Sequence, residues 1–345
     1  MAKRLYLIAV VIVTICGCGV VSPLRNGTTT PTGSSGGKLY VSTAGSILRF
    51  GSALSANGNV APEVTISGVS SQLNGPKRIF LDVNSDRLFV ANSGSSSILI
   101  FSPASSATAG STPSAVLTST GNMVTPFDLA IDAGANLLYV ADSSNNSILV
   151  FANESGLSGN VNTAPVRTMT VSFNLTGIFV DPAHNNLFIA DAPDNSVDIL
   201  QNASTATGAI TLLLSPVTGA ATNLSSPSDA TLDSGGRLVV SNNGTSPSVL
   251  IFTNLVVPSG GNTSPAATIA GGSSNVAVPG QMVFNGAANN GELYVADAHA
   301  PGILVFTNIN SANGTINSAP ARSLVGSGTQ LNTGAVNGVA LDTTR

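Results

Sequence analysis

Residues 136–151, NLLYVADSSNNSILVF, read as two short apolar runs on either side of a polar turn, and variants of this phrase recur five more times. They are KLYVSTAGSILRF from Lys38, RLFVANSGSSSILIF from Arg87, NLFIADAPDNSVDIL from Asn186, RLVVSNNGTSPSVLIF from Arg237 and ELYVADAHAPGILVF from Glu292. Val41, Val90, Val140, Ile189, Val240 and Val295 hold the same place in each copy, at spacings of 49, 50, 49, 51 and 55 residues. One hairpin cannot bury its own faces, so copies at a fixed period must stack on one another. A period near fifty built only of strands predicts a β-propeller with one four-stranded blade per repeat.

Two further runs complete each blade. Upstream of each hairpin lies an apolar run ending in Asp or Asn, at Asp82, Asp132, Asp181, Asp233 and Asn285, with a sixth at Asp342. Downstream lies a fourth run, opened by Pro62, Pro113, Pro165, Pro265 or Pro320; the fourth repeat lacks that proline and offers AITLL from Ala209. Proline suits an outer, edge strand, where a missing N–H breaks no ladder. The first repeat has no upstream run, and the last one, residues 338–342, has no hairpin after it. The C-terminal run is therefore expected to become the inner strand of the first blade. The prediction is an all-β, six-bladed propeller of four antiparallel strands per blade over residues 38–345, closed by its C-terminal strand.

Composition agrees with strands and turns. No long run carries helical periodicity, and charged residues make up only 8% of the chain, against a usual quarter or so. The balance is acidic and the basic residues are scattered, which excludes the clustered positive charge that nucleic acid requires. Aromatics at 5% and the absence of Trp leave few platforms for stacking bases or sugars.

The first residues follow a different grammar. Lys3 and Arg4 precede the apolar run 5–15, and Ile15-Cys16-Gly17-Cys18 follows. This predicts an export leader over residues 1–17, too short in apolar length to cross a bilayer as a helix. The cysteine context resembles a bacterial lipobox, which implies lipidation of Cys18 and loss of Cys16 with the leader. Residues 18–37, rich in Gly, Ser, Thr and Pro, are expected to form a disordered tether.

The phrase P-x-x-I/L-A-x-D…LYVAD…SILVF…G-N-x-x-A-P-x-R-T resembles bacterial NHL-repeat propellers over nearly everything after residue 37. That resemblance implies the fold, on which binding proteins, lyases and lactonases all occur. One ring of equivalent positions falls at the expected channel mouth: Arg78, Asp128, Gly177, Asp229, Gln281 and Gly338. Gly is common there in the NHL pattern, so the four polar occupants mark a candidate binding site. In it Arg78 would engage an anion, and Asp128 or Asp229 a cation or hydroxyl; the alternative is mutual charge satisfaction around the channel. A second ring, Thr43, Asn92, Asp142, Asp191, Asn242 and Asp297, has the residue types that stabilise turns.

The two histidines, His184 and His299, fall on opposite faces, which removes a two-His zinc or iron site and argues against a Ser-His-Asp hydrolase. Resemblance to lyases of the virginiamycin B type would require a mouth-facing His with metal-binding carboxylates; only His299 could serve, and it lies in the outer turn ring. Gluconolactonase-like chemistry would require a central Glu, and Glu63, Glu154 and Glu292 are all peripheral. No cofactor or metal is expected; a calcium ion held by Asp128, Asp229 and carbonyls stays open without spacing to support it. The chain is thus expected to be an exported, membrane-anchored lipoprotein on the cell envelope, monomeric, touching the membrane only through its lipid. Its role would be to bind a protein, small-molecule or glycan ligand without catalysis. The alternatives are a metal-assisted lyase or lactonase centred on Asp128, Asp229 and Gln281, and a structural envelope protein.

Overall fold

The structure is a computed structural model that describes residues 36–211, 214–253, 261–299, 301–331 and 336–345. The predicted leader, Cys18 and the tether up to residue 35 lie outside the described residues. Gly36 and Gly37, counted with the tether, instead bond through their carbonyls to Leu54 and Ala53. No helix among the described residues is long and apolar enough to cross a membrane.

Six sheets form, each from an inner, second, third and outer antiparallel strand. Blade 2 shows the plan, with strands Pro76–Asp82, Arg87–Asn92, Ser97–Phe101 and Ala115–Thr118. Its second and third strands are buried at every position, as strands packed on both faces must be. The turn before the second strand requires a left-handed residue, supplied by Asp86, Asn136 and Asn185 at φ of 54°, 57° and 54°. Short polar side chains tolerate that conformation. Each of these residues then accepts a backbone N–H from the connection leaving the third strand: Ser105, Ser155 and Ser204, all at 2.9 Å.

The ring closes as expected. Gly338–Asp342 pairs with Lys38–Ser42 in the register Leu39 to Leu341 and Val41 to Val339. There is no single core. Six apolar clusters form instead, one between each pair of neighbouring blades, including one between blades 6 and 1. Burial is therefore what holds blade to blade.

Two features depart from the sequence reading. The outer strand of blade 4 is Leu214–Val217 rather than the run from Ala209. Gly208–Ala209 runs parallel to the outer strand of blade 3, so those residues leave their own blade to cover the previous one. This covering is general. Gly159–Asn162 and Gly314–Ile316 cover blades 2 and 5 in the same way, and single parallel bridges from Gly261 and Gly58 cover blades 4 and 6. Three blades thus have a fifth, parallel strand. Arginines hold the covering connections: buried Arg87 donates to the Glu154 and Leu157 carbonyls at 2.7 and 2.6 Å, and half-buried Arg322 to Ala53 at 2.8 Å.

Candidate functional site

The channel ring is built by a repeated defect. In blades 2 to 6 the inner strand shifts register near its start, between Pro76 and Ile79, Pro126 and Asp128, Leu175 and Gly177, Pro227 and Asp229, and Pro279 and Met282. A bulge re-aims the side chain it carries, and these shifts fall at the positions of Arg78, Asp128, Gly177, Asp229 and Gln281.

The structure brings the four predicted site residues together. Arg78 of blade 2 donates to Asp128 of blade 3 at 3.0 Å, and reaches across the channel to Asp229 and the Ser228 carbonyl of blade 5. Asp128 also accepts the Ile178 and Leu129 N–H groups, both at 2.8 Å, and Asp229 accepts Met282 N–H at 2.8 Å. Gln281 of blade 6 accepts from Val339 N–H at 3.0 Å and donates to the Ile79 carbonyl at 2.9 Å. All six blades are thereby tied at the axis. The glycines of the ring make this possible: a methyl group at Gly177 would lie 2.7 Å from the Arg78 guanidinium, and one at Gly338 2.5 Å from Gln281. The four side chains are only 3%, 1%, 4% and 9% exposed, so they plug the channel rather than face open solvent.

One guanidinium faces two carboxylates in this plug. Burial works to lower Arg78, but Asp229 and Asp128 outweigh it and hold the guanidinium above its ordinary value. Burial pushes Asp128 up, against the pull of Arg78 and two backbone N–H groups. It pushes Asp229 up to about 7, again against Arg78, with Asp128 adding repulsion. A like charge in low dielectric raises one member of such a pair. The cluster therefore holds a proton more readily than free carboxylates do.

Beyond the ring, toward the turns that end the inner strands, lies a cavity of about 330 Å³. Phe80, Phe179, Phe284 and Leu232 are among its walls, and Asp229 and Gln281 line its polar end. Its size is at the low end for small-ligand sites, and its apolar walls with a few convergent polar groups are typical of them.

The remaining candidates separate. His184 bonds Asp181 at 2.6 Å in blade 4 with its ring more than half exposed, whereas His299 lines a different cavity, of about 730 Å³, beside blades 5 and 6. No three His, Cys, Asp or Glu side chains converge as metal ligands among the described residues. The second ring does hold turns, but with a longer reach than expected. Asn92 accepts Asn74 N–H at 2.7 Å, Asp142 accepts Val124 and Thr125 N–H, and Asp297 accepts Ala277 N–H, so each ties its hairpin to the connection entering its own blade. Glu292 is buried in a cluster with Arg322, Asn289 and Tyr294 at 2.6, 2.7 and 2.9 Å. Burial opposes its charge, but these bonds hold it below its ordinary value.

Sequence reasoning missed Asp198. It stands in the third strand of blade 4, opposite Ile189, where the other five blades place Leu48, Leu99, Leu149, Leu250 and Leu304. Burial first, then Asp191, pushes its carboxyl up to about 7. The signal was visible as SVDIL among copies that read SILRF, SILIF, SILVF, SVLIF and GILVF.

No family model matches the chain, and no curated protein does. Among solved structures it is similar to a chain of the nidogen/laminin complex, with a TM-score of 0.61 at 12% identity over 89% of this chain and 98% of that one. A protein of unknown function from Bacteroides caccae gives 0.58 at 9% identity over the same shares. Hydrazine synthase from Kuenenia stuttgartiensis gives 0.50 at 13% over 71% and 66%. At these identities the likeness establishes the propeller fold alone.

Proposed function

We propose that this chain is an exported, lipid-anchored propeller of NHL-like type that acts as a non-catalytic binding module at the cell envelope. Its ligand enters the central cavity and meets a polar end made by Asp229 and Gln281, braced from behind by Arg78 and Asp128. The observation that carries this reading is the apolar-walled cavity with Asp229 and Gln281 at its polar end, beside a ring whose charges engage one another. Arg78 and both carboxylates are bonded across blades, and Gln281 is bonded to two more, so the ring is a preformed floor. A metal or a nucleophile would have to break those bonds first. Support for export and anchoring comes from the charged start, the apolar run and Cys18. The nidogen/laminin complex, one chain of which has a similar fold, is a precedent for protein binding by this architecture.

A second reading has one observation in its favour. Asp229 lines a cavity and titrates near neutrality, as a general acid or base does, which fits the lyase or lactonase alternative. Native mass spectrometry of the full chain, with lactone-hydrolysis assays in calcium, manganese and zinc, separates the two. The binding module predicts a non-metal ligand whose retention falls in Ala130→Leu, which narrows the cavity, and no turnover with any ion. A stoichiometric divalent ion with lactone hydrolysis, both lost in Asp229→Asn, would overturn it.

A further inference from the structure

The covering of outer strands has one exception. Among the described residues no strand pairs along Val64–Ile66, the outer strand of blade 1, whose Thr65 hydroxyl bonds Gln330 at 2.9 Å. The covered blades show what belongs there. In blade 6 the Ser323 carbonyl accepts Gly58 N–H at 2.6 Å and Val325 N–H returns a bond to the Gly58 carbonyl. Asn59 then donates nothing to the strand, but its Oδ1 accepts Gly328 N–H at 2.6 Å from the turn that follows. Asn262 and Asn317 do the same for Ala221 and Ser273, at 2.7 and 3.0 Å. Each of these asparagines fills a cradle over a left-handed glycine: a methyl group on Gly219, Gly271 or Gly326 would meet the Asn side chain at 2.6, 2.6 and 2.7 Å.

Among the described residues, blade 1 has the same acceptor site without an occupant. Its outer strand and turn, Thr65-Ile66-Ser67-Gly68-Val69-Ser70, repeat the pattern of blade 5, Thr268-Ile269-Ala270-Gly271-Gly272-Ser273. Gly68 is left-handed at φ 80°, and nothing lies within 4 Å of where its side chain would be. By the register of the covered blades, the Thr65 carbonyl and the Ser67 and Ser70 N–H groups face outward, and no described residue pairs with them. Val69, 98% exposed, adds a bare apolar side chain beside the edge. The cause lies in blade 2. Its connection, residues 107–113, is as long as residues 56–62 of blade 1, but it bends on itself through Ser111 N–H to the Thr108 carbonyl at 3.0 Å and Thr108 N–H to Ser111 Oγ at 2.8 Å. Gly110 stands where Asn59 would.

We infer that the outer edge of blade 1 is a docking site for an extended strand of a partner protein, added parallel to Val64–Ile66, with an Asn seated over Gly68 and capping Ser70. Unpaired edges accept such strands through main-chain bonds, with side-chain pockets giving selectivity. The occupant's chemistry is read from blade 5, whose matching edge takes Gly314-Thr315-Ile316-Asn317: a glycine, two residues of strand character, then asparagine. A second copy of this chain is disfavoured, since its described segments of this kind, Gly58-Asn59, Gly261-Asn262 and residues 314–317, already cover its own blades. The inference goes beyond the reading of the ring as a binding module and concerns a different surface from the channel, so either can fail alone.

The test is an NMR titration of the ¹⁵N-labelled full chain with a capped peptide of the sequence of residues 312–320, ANGTINSAP. The expected result is saturable shifts of the Ser67 and Ser70 amides, at least about tenfold weaker for the peptide with Ala at the second Asn, as for loss of one buried hydrogen bond. The variant Thr108→Asn/Ala109→Gly/Gly110→Asn restores blade 1's covering sequence to blade 2. It should occupy the edge from within, abolish the shifts and raise the melting temperature. Absence of shifts up to about 10 mM peptide, where even sub-millimolar-strength contacts register, would overturn the inference. So would equal binding by the Ala peptide, or concentration-dependent dimers of the chain alone that the triple variant abolishes.

Discussion

Asp198 is the residue that the repeat argues against. Its carboxyl, pushed up to about 7 by burial and by Asp191, has its folded-state value above its unfolded one. Between about pH 4 and 7 the folded chain therefore holds a proton that the unfolded chain has released, and stability falls as pH rises through that window. Its contribution is whole below pH 4 and lost above pH 7. Asp198→Leu restores the side chain of the other five blades, and is expected to stabilise by roughly 2–4 kcal/mol at pH 8, on the scale of about 1.4 kcal/mol per pKa unit. The gain should shrink at pH 4, and urea melts at the two values check it. The channel ring shows the limit of reading residues from a repeat. Its six positions followed from alignment, as did mutual charge satisfaction as one reading of them, but the reach of Arg78 across the channel to Asp229 did not. That contact depends on the two glycines opposite and on bulges that no residue type announces.

At the scale of strands, legibility followed the apolar pattern. Second and third strands, fully buried and rich in Val, Ile, Leu and Phe, stand out from their turns, and the inner runs are punctuated by Asp82 and its counterparts. Each such Asp caps its own turn, as Asp132 does for Ala135 N–H at 2.9 Å. The covering strands carry no such signal. Gly58-Asn59 or Gly208-Ala209 has no apolar alternation, and the partner of each belongs to another blade, so pairing is set by geometry outside the local sequence. This is also why the outer strand of blade 4 was placed too early. The asparagine cap makes the covering testable where it is complete. Asn317→Ala removes the acceptor of Ser273 N–H and empties the cradle over Gly271. It should cost about 1 kcal/mol and speed hydrogen exchange at Ser273 and at Ala270, whose N–H bonds the Ile316 carbonyl at 3.1 Å.

For the whole molecule, the repeat count and the inner run at residues 338–342 that lacks a hairpin of its own specify a ring. A disc with six inter-blade clusters has no central core to fall back on, so its stability depends on every neighbour being present. The seam between blades 6 and 1 is where this dependence is concentrated. Blade 1 is built from both ends of the described chain, and Val339, Ala340 and Leu341 are buried between its second strand and the neighbouring blades. Removing residues 338–345 would strip the inner strand from blade 1, leave Lys38–Ser42 as an open edge, and free Gln281 from its bond to Val339. Thermal unfolding of that truncated chain beside the full-length chain tests the account most directly. The account predicts a midpoint lower by about 10 °C or more, or loss of cooperative unfolding altogether; a truncated chain that melts cooperatively at the full-length midpoint would contradict it.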